Sequence, residues 1–287
     1  MEINDQILEK TKLITLLNEE LLSTEIKNHV FYNFPKYYDM AFTRNVISDI
    51  VFFQECFRLY ASIDVKKVLE PACGPGMFLE EFPKFGYYIL GYDLNPSMVE
   101  YSKERLRNSN LSEKEANVLV GNMKDFSVDD KFDAAIICIN SLGYLTSNND
   151  IHSHFKAMYK TLNSGGIYIV EISCMCEDLK YEEKVDDMWS VKQNGIELEL
   201  TWKISWYDIP NRIRHVDFRM KGFDYGREII IEESHELRLW IFEEFKMFAE
   251  NNGFELIGIY NQNYEKIELD CKINGELGAL YFVLKKR

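Results

Sequence analysis

Between a short apolar run, Lys67-Val68-Leu69, and an apolar stretch opening at Met77 lies the segment Glu70-Pro71-Ala72-Cys73-Gly74-Pro75-Gly76. Open α/β sheets bind ligands beyond the carboxyl ends of their strands, and the loop after the first strand is the first place to look. Gly74 and Gly76 let backbone approach a ligand without interference from a Cβ, and the loop feeds a helix. Alone, such a segment is as often a plain tight turn as a site. Asp93 closes the next apolar run, roughly 20 residues past the glycines, where a carboxylate can accept both hydroxyls of a ribose. The plainer alternative makes Asp93 a cap for a helix starting near Pro96.

Two residues narrow the ligand. A dinucleotide fingerprint places a third glycine where this chain has Leu79, so a nicotinamide or flavin oxidoreductase is disfavoured. Glu70 is poorly placed beside a pyrophosphate but useful beside a cationic amino acid.

The elements that position these residues follow from periodicity. Apolar residues at helical spacing predict one or two amphipathic helices over 3–29, and the stripe Val46, Ile50, Phe53, Phe57 predicts another up to Tyr60. Strands are expected at 67–70, 87–92, 117–120, 132–139 and 167–172, the last behind a Gly165-Gly166 turn. Helices are expected at 77–85, 96–107 and 150–162. This alternation implies a doubly wound, mostly parallel sheet with helices on both faces. From 177 to 238 the pattern switches to period two with turns at Pro210-Asn211 and Asp224-Tyr225-Gly226, an antiparallel insert; a helix over 239–251 and strands at 254–260 and 279–284 close the fold. The expected division is a helical segment 1–60, a core of 61–176 and 239–287, and an inserted lid, 177–238.

In order, Val68 to Gly76, then Gly91-Tyr92-Asp93-Leu94-Asn95-Pro96-Ser97-Met98, then Gly121-Asn122-Met123-Lys124-Asp125-Phe126 resemble the class I S-adenosyl-L-methionine (SAM)-dependent methyltransferases. Phe132 to Ile137, Ser141-Leu142-Gly143-Tyr144-Leu145 and Leu162-Asn163-Ser164-Gly165-Gly166 fit the same resemblance. It is nearest to small-molecule enzymes of the amino-sugar N,N-dimethyltransferase and glycine/sarcosine methyltransferase kind. The resemblance implies that Glu70, Ala72, Gly74 and Gly76 line the methionine part, Asp93 holds the ribose, Leu94 and Met98 bound the adenosine pocket, and Asn122 and Met123 face the adenine. It also implies contacts from Cys138 and Ile139, from Tyr38 in the upstream Tyr37-Tyr38-Asp39 element, and from Arg44 to the methionine carboxylate. Two positions depart from the family's pattern: Pro75 replaces a more usual Thr or Ser, removing a hydroxyl and a backbone donor, and Asn122 replaces a frequent Asp.

Methyl transfer from a sulfonium is an in-line displacement that needs alignment and a dry site, with a base only where the nucleophile arrives protonated. No catalytic triad is expected; Glu171, His215 and Tyr144 are the candidates for base or anchor. The insert's Trp189, Trp202, Trp206, Tyr207, Phe218 and Tyr225 suit a small-molecule pocket or plain packing, and the acidic pairs Glu182-Glu183 and Asp186-Asp187 suit a cationic amine or a solvated face. The expected reaction is methylation of a nitrogen or oxygen on a small molecule. The alternatives are a non-catalytic SAM sensor or scaffold, which Pro75 and Asn122 motivate, and a macromolecular methyltransferase.

Composition limits those alternatives. The net charge of -14 opposes a nucleic-acid partner, whose phosphates must be met by Lys and Arg. After the fourth strand the chain reads Asn140-Ser141-Leu142-Gly143, without the Asn/Asp-Pro-Pro-aromatic signature of nucleic-acid amine methylation. Cys56, Cys73, Cys138, Cys174, Cys176 and Cys271 contain no C-x-x-C pair, so buried thiols are expected and no metal. Met1-Glu2-Ile3-Asn4-Asp5 opens no secretory signal and no run has membrane-spanning length, which predicts a soluble, cytoplasmic protein, monomer or homodimer.

Overall fold

The computed structural model describes residues 26–27, 31–175, 186–268 and 279–287. The strands in chain order are β1 (Ile26–Lys27), β2 (Lys67–Pro71), β3 (Tyr88–Asp93), β4 (Ala116–Val120), β5 (Phe132–Ile137), β6 (Leu162–Met175), β7 (Asp186–Gln193), β8 (Ile196–Asp208), β9 (Ile213–Asp224), β10 (Arg227–Arg238), β11 (Trp240–Ile241), β12 (Phe254–Tyr260), β13 (Lys266–Ile267) and β14 (Ala279–Lys286). The helices are α1 (Pro35–Phe42), α2 (Ile47–Tyr60), α3 (Met77–Glu81), α4 (Pro96–Asn108), α5 (Asn148–Thr161) and α6 (Phe242–Asn251).

These residues fall into two compact units. One holds the described residues of Met1–Phe31, Glu183–Trp206 and His215–His235; the other holds those of Tyr32–Glu182, Tyr207–Arg214 and Glu236–Arg287. In the larger unit the strand order is β13-β12-β14-β6-β5-β2-β3-β4, with β11 also on β6. Strands β4, β3, β2, β5 and β6 pair in parallel, whereas β14 enters antiparallel between β6 and β12. The chain leaves β2 toward β3 on one side and returns to β5 on the other, so the switch point falls beside the Glu70 to Gly76 loop. This is the doubly wound sheet the alternation predicts.

Alternation along each strand builds two cores. Val68, Ile89, Ala134, Ile136 and Ile169 face α2, α3 and α4 through Ile50, Phe53, Leu79 and Val99. Their neighbours Leu69, Leu90, Ala135, Ile137 and Val170 face α5 and α6 through Phe155, Met158 and Phe245. Both faces of the sheet are therefore dry, as a parallel sheet requires. Cys56, Cys73, Cys138 and Cys174 are buried, as expected; Cys176 and Cys271 lie outside the described residues.

Leu79 explains the missing third glycine. A Cβ on Gly91 of β3 would lie 2.8 Å from the Cys73 Sγ and 2.8 Å from each Leu79 δ carbon. The room for close packing of helix against strand is thus made on the strand, at Gly91, and filled by a fully buried leucine. Gly91→Ala should destabilise the protein by about 1–3 kcal/mol through overpacking, read as a lower denaturant midpoint at unchanged slope.

In the smaller unit β1-β10-β9-β8-β7 form the antiparallel sheet expected of the insert, except that β1 joins β10 in parallel. Ile196, Leu198 and Leu200 of β8, Val216, Phe218 and Met220 of β9 and Ile229 and Ile231 of β10 are buried, while most of the residues between them are exposed.

Several expected bounds shift. Helical spacing reaches residue 29, yet Ile26–Lys27 is a strand because pairing with Ile231 and Glu232 overrides local propensity; the rest of the 3–29 expectation and Glu182-Glu183 lie outside the described residues. Strand β6 starts at Leu162, since a register shift against β5 between Phe132 and Ala134 absorbs Gly165-Gly166 within the strand. Trp240 and Ile241, read as the start of a helix, pair instead with Cys174 and Met175.

Candidate functional site

The turn after β2 is built from left-handed backbone. Ala72, Gly74 and Gly76 have φ of 53°, 52° and 79°. A Cβ on Gly76 would lie 2.9 Å from the Ser102 Oγ of α4, so both conformation and space demand glycine there. The turn is held open by side chains: Gly74 N–H donates to Asp93 Oδ2 at 2.9 Å, and Ser102 Oγ donates to the Gly74 carbonyl at 2.8 Å.

Asp93 does not cap α4. Asn95 does, its Oδ1 accepting from the Ser97 amide at 2.8 Å and more weakly from Met98. The other Asp93 oxygen accepts from the Asn95 amide at 2.8 Å. Each carboxylate oxygen thus holds one amide and keeps a lone pair for a further donor. Burial raises the Asp93 pKa, against the lowering by these two amides.

Glu70, on β2, is 5% exposed, and its Oε2 has no hydrogen-bond partner among the described residues. Burial, reinforced by nearby Asp93, pushes its pKa well above the carboxylate range. A buried carboxyl without a partner is costly, and an incoming cation would both pair it and ionise it.

Beyond β5, Ile139 and Asn140 both have φ of 55°. A β-branched residue in that region stores strain of about 1–3 kcal/mol and persists only where its surroundings hold it. Here Ile139 N–H donates to Glu171 Oε2 at 2.9 Å, and Asn140 Oδ1 accepts from the Ser173 amide at 3.2 Å. Glu171, 6% exposed, has its pKa raised by burial, against the lowering by Ile139 N–H and Arg44. Cys138 is buried and its carbonyl accepts from Ser141 Oγ at 2.8 Å; the thiol is pushed up by burial.

The following 3-10 turn, Ser141–Tyr144, carries the Tyr144 hydroxyl to that of Tyr32. The Tyr32 ring centroid lies 5.4 Å from that of Tyr38 and 6.1 Å from that of Tyr144. Tyr38 Cε1 is 3.8 Å from where a Gly74 Cβ would stand, and burial raises its hydroxyl with help from Tyr144 and Asp93. Helix α1, which carries Tyr38, is tied to α4 by Asp39, which accepts from Tyr101 and pairs with Arg105.

On the far side, Leu94 is 66% exposed beyond β3 and Met98 is buried on α4. Asn122 turns its Oδ1 onto the Lys124 amide at 3.0 Å. The Met123 carbonyl meets His154 Nδ1 at 2.8 Å, and His154 Nε2 meets the Tyr168 hydroxyl at 2.8 Å. Burial drops His154 to about 4, so the ring is neutral and acts as a strut for this loop.

Arg44, expected at a cofactor carboxylate, stands 3.2 Å from Asp49 Oδ1 and 3.6 Å from Glu171 Oε2. Those two charges outweigh the burial that would lower its pKa and raise it instead. Asp49 also accepts from the Tyr281 hydroxyl at 2.8 Å. His215 belongs to the antiparallel unit, where its ring lies on Trp206 with centroids 3.5 Å apart. Tyr32 and Asp49 were not singled out from sequence. Asp49 was findable, as a carboxylate inside the apolar stripe of α2; Tyr32 lies among too many aromatics to stand out.

The carboxyl ends of β2, β3, β5 and β6 thus carry Glu70, Asp93, Ile139 and Glu171, in the same compact unit as Tyr38 and Tyr144. Among the described residues, no three His, Cys, Asp or Glu are grouped to hold a metal ion, and no helix is long and apolar enough to cross a membrane.

A methyltransferase domain family matches residues 68–166. The Bacillus subtilis (strain 168) protein YqeM, whose name assigns it provisionally to the methyltransferases, is 26% identical over 193 residues, 66% of this chain and 74% of that one. The dTDP-3-amino-3,4,6-trideoxy-alpha-D-glucopyranose N,N-dimethyltransferase of Streptomyces venezuelae is 29% identical over 108 residues, 38% of this chain and 43% of the relative, less than half its length. Among solved structures, SAM-bound CalS10, an amino pentose methyltransferase from Micromonospora echinaspora, superposes with a TM-score of 0.68 at 16% identity, covering 91% of this chain and 99% of the other. With the three ordered loops on one sheet edge and these likenesses, residues 68–166 form a methyltransferase domain with the class I fold, the fold of enzymes that use S-adenosyl-L-methionine.

Proposed function

We propose that the protein moves the methyl group of SAM to a nitrogen on a small, amino-sugar-like molecule by in-line displacement. The observation that carries this reading is the Glu70 carboxyl, buried with one oxygen unpartnered beside Asp93. That pair suits a ligand with a cationic amino-acid end and a ribose: Glu70 would take the ammonium, Asp93 the hydroxyls, and Ala72, Gly74 and Gly76 the methionine chain. Leu94, Met98, Asn122 and Met123 would border the adenosine, with Cys138 and Ile139 at its edge. When bound, SAM supplies an electrophilic methyl on a sulfonium.

The chain's own residues would align the acceptor and exclude water. Tyr38, Tyr144 and Tyr32 offer hydroxyls that can hold an amine, and Glu171, with its raised pKa, can take up the proton a protonated amine must lose. Nitrogen is favoured over oxygen by the likeness to amino-sugar N-methyltransferases and by this acceptor-rich edge. Of the insert, residues Tyr207–Arg214 belong to the same compact unit as Tyr144 and are read as the part that bears on the acceptor.

The test is turnover: the protein is incubated with SAM and a panel of amino sugars and matched hydroxyl sugars, followed by mass spectrometry. One or two added methylene masses on amines, with equivalent S-adenosylhomocysteine (SAH), are expected. Product on the hydroxyl members alone, or none on any member, would refute the acceptor assignment.

A linked expectation concerns protons. Glu70 is protonated in the free protein when its pKa lies above the ambient pH, and pairing with an ammonium requires its anion, so SAH binding should release a proton and tighten as pH rises. Calorimetry in two buffers of different ionisation enthalpy reads this directly; identical heats would count against the role of Glu70.

A further inference from the structure

Resting on that reading of the site, we propose that the acceptor carries an oxyanion, a phosphate or a carboxylate, held by Arg214.

Arg214 is the second residue of β9 and belongs to the same compact unit as Tyr144 and Tyr207. Its Nε is buried and has no hydrogen-bond partner, and among the described residues the guanidinium makes no ion pair. Its neighbours differ. Arg212 pairs with Glu244 at 3.3 Å; Arg238 reaches the same carboxylate at 3.6 Å and donates to the Thr146 carbonyl at 3.0 Å. The local anion is therefore already used, and Arg214 is left with Tyr207 and Tyr144 as the groups that bear on its charge.

Burial lowers its pKa, but arginine stays charged, so the fold maintains a partly buried cation with no counter-ion among the described residues. Such an arrangement is costly unless something supplies the missing charge. The planar guanidinium fork matches two oxygens of a phosphate or carboxylate. The nearby Tyr144 is itself joined to Tyr32, in the tyrosine group proposed to hold the acceptor amine. An acceptor reaching both would bear an amine and an oxyanion, as a sugar phosphate or an amino acid does.

The full chain, saturated with SAH, is titrated by calorimetry with inorganic pyrophosphate and, separately, with succinate. Saturable binding of at least one is expected in the wild type, with the stronger one naming the oxyanion. Arg214→Met should weaken it about tenfold or more, Arg214→Lys should retain part of it, and both should keep wild-type SAH affinity. Binding of neither anion at millimolar concentrations, or equal binding by Arg214→Met, would overturn the assignment. Failure of SAH itself to bind would refute the cofactor site instead. If Arg214→Met does not fold, the charge-retaining lysine variant still decides, since an unchanged affinity there excludes a bidentate contact.

Discussion

Asp93→Ala is expected to weaken SAH binding about 100-fold or more and to abolish methyl transfer at ordinary SAM concentrations. The carboxylate has two tasks. It holds the Gly74 and Asn95 amides, fixing the turn after β2 and the turn into α4. Its remaining lone pairs are proposed to accept the ribose hydroxyls. A hydrogen bond to a charged group is worth about 1.5–3 kcal/mol, so losing two of them exceeds the roughly 2.7 kcal/mol that a 100-fold change represents. A separate structural cost comes from the Gly74 and Asn95 amides left without their acceptor, offset in part by relief of the carboxylate's desolvation. Calorimetry with SAH, run beside thermal denaturation, separates the two; an unchanged affinity in a folded variant would remove Asp93 from the site. Asn95 makes the contrast: it caps α4, so Asn95→Ala should cost about 1 kcal/mol of stability with a smaller effect on affinity.

Arg44→Met should produce the largest loss of stability. Asp49 is 1% exposed and Glu171 6% exposed, and Arg44 is the cation that meets both. Removing one member of a buried pair costs about 3–5 kcal/mol because a desolvated charge remains. The guanidinium is 39% exposed, so solvent screening reduces the expected cost to about 2–3 kcal/mol. The melting temperature should fall by about 5–10 °C, with partial recovery in Arg44→Met/Asp49→Asn. If Arg44 instead anchors a cofactor carboxylate, SAH affinity would fall at least tenfold while the melting temperature stayed near that of the wild type. The geometry favours the structural outcome.

Much of this architecture is legible from residue types because parallel strands buried on both faces must read as continuous apolar runs. Val68-Leu69, Ile89-Leu90 and Ala134 to Ile137 could hardly be anything else once Gly74, Gly76 and Asp93 mark their carboxyl ends. Boundaries governed by tertiary pairing were not legible. Ile26–Lys27 and Trp240–Ile241 lie where residue spacing predicts helix and are strand because β10 and the end of β6 beyond its pairing with β5 offer them partners. Gly165-Gly166 reads as a turn, but a bulge keeps it within the strand.

At the site, sequence located the loops and left their wiring hidden. Nothing near Arg44 announces that Glu171, far along the chain, will claim it. Asn122 is expected to offer its amide oxygen to an adenine, and its type did not announce that the short turn also uses this oxygen, one lone pair accepting from the Lys124 amide. The left-handed Ile139 is invisible in composition, since only the Glu171 contact makes so unfavourable a conformation tenable. Arg214 looks like one more charge on an alternating strand until Glu244 is seen to serve Arg212 and Arg238 instead.

The most direct test of the account is a crystal structure of the full chain with SAH. It should show the SAH amino group within hydrogen-bond distance of the Glu70 carboxylate, and both ribose hydroxyls on Asp93 beside the Gly74 turn. SAH bound elsewhere on the molecule, or lying at this edge with Glu70 still unpartnered, would contradict the assignment of the site.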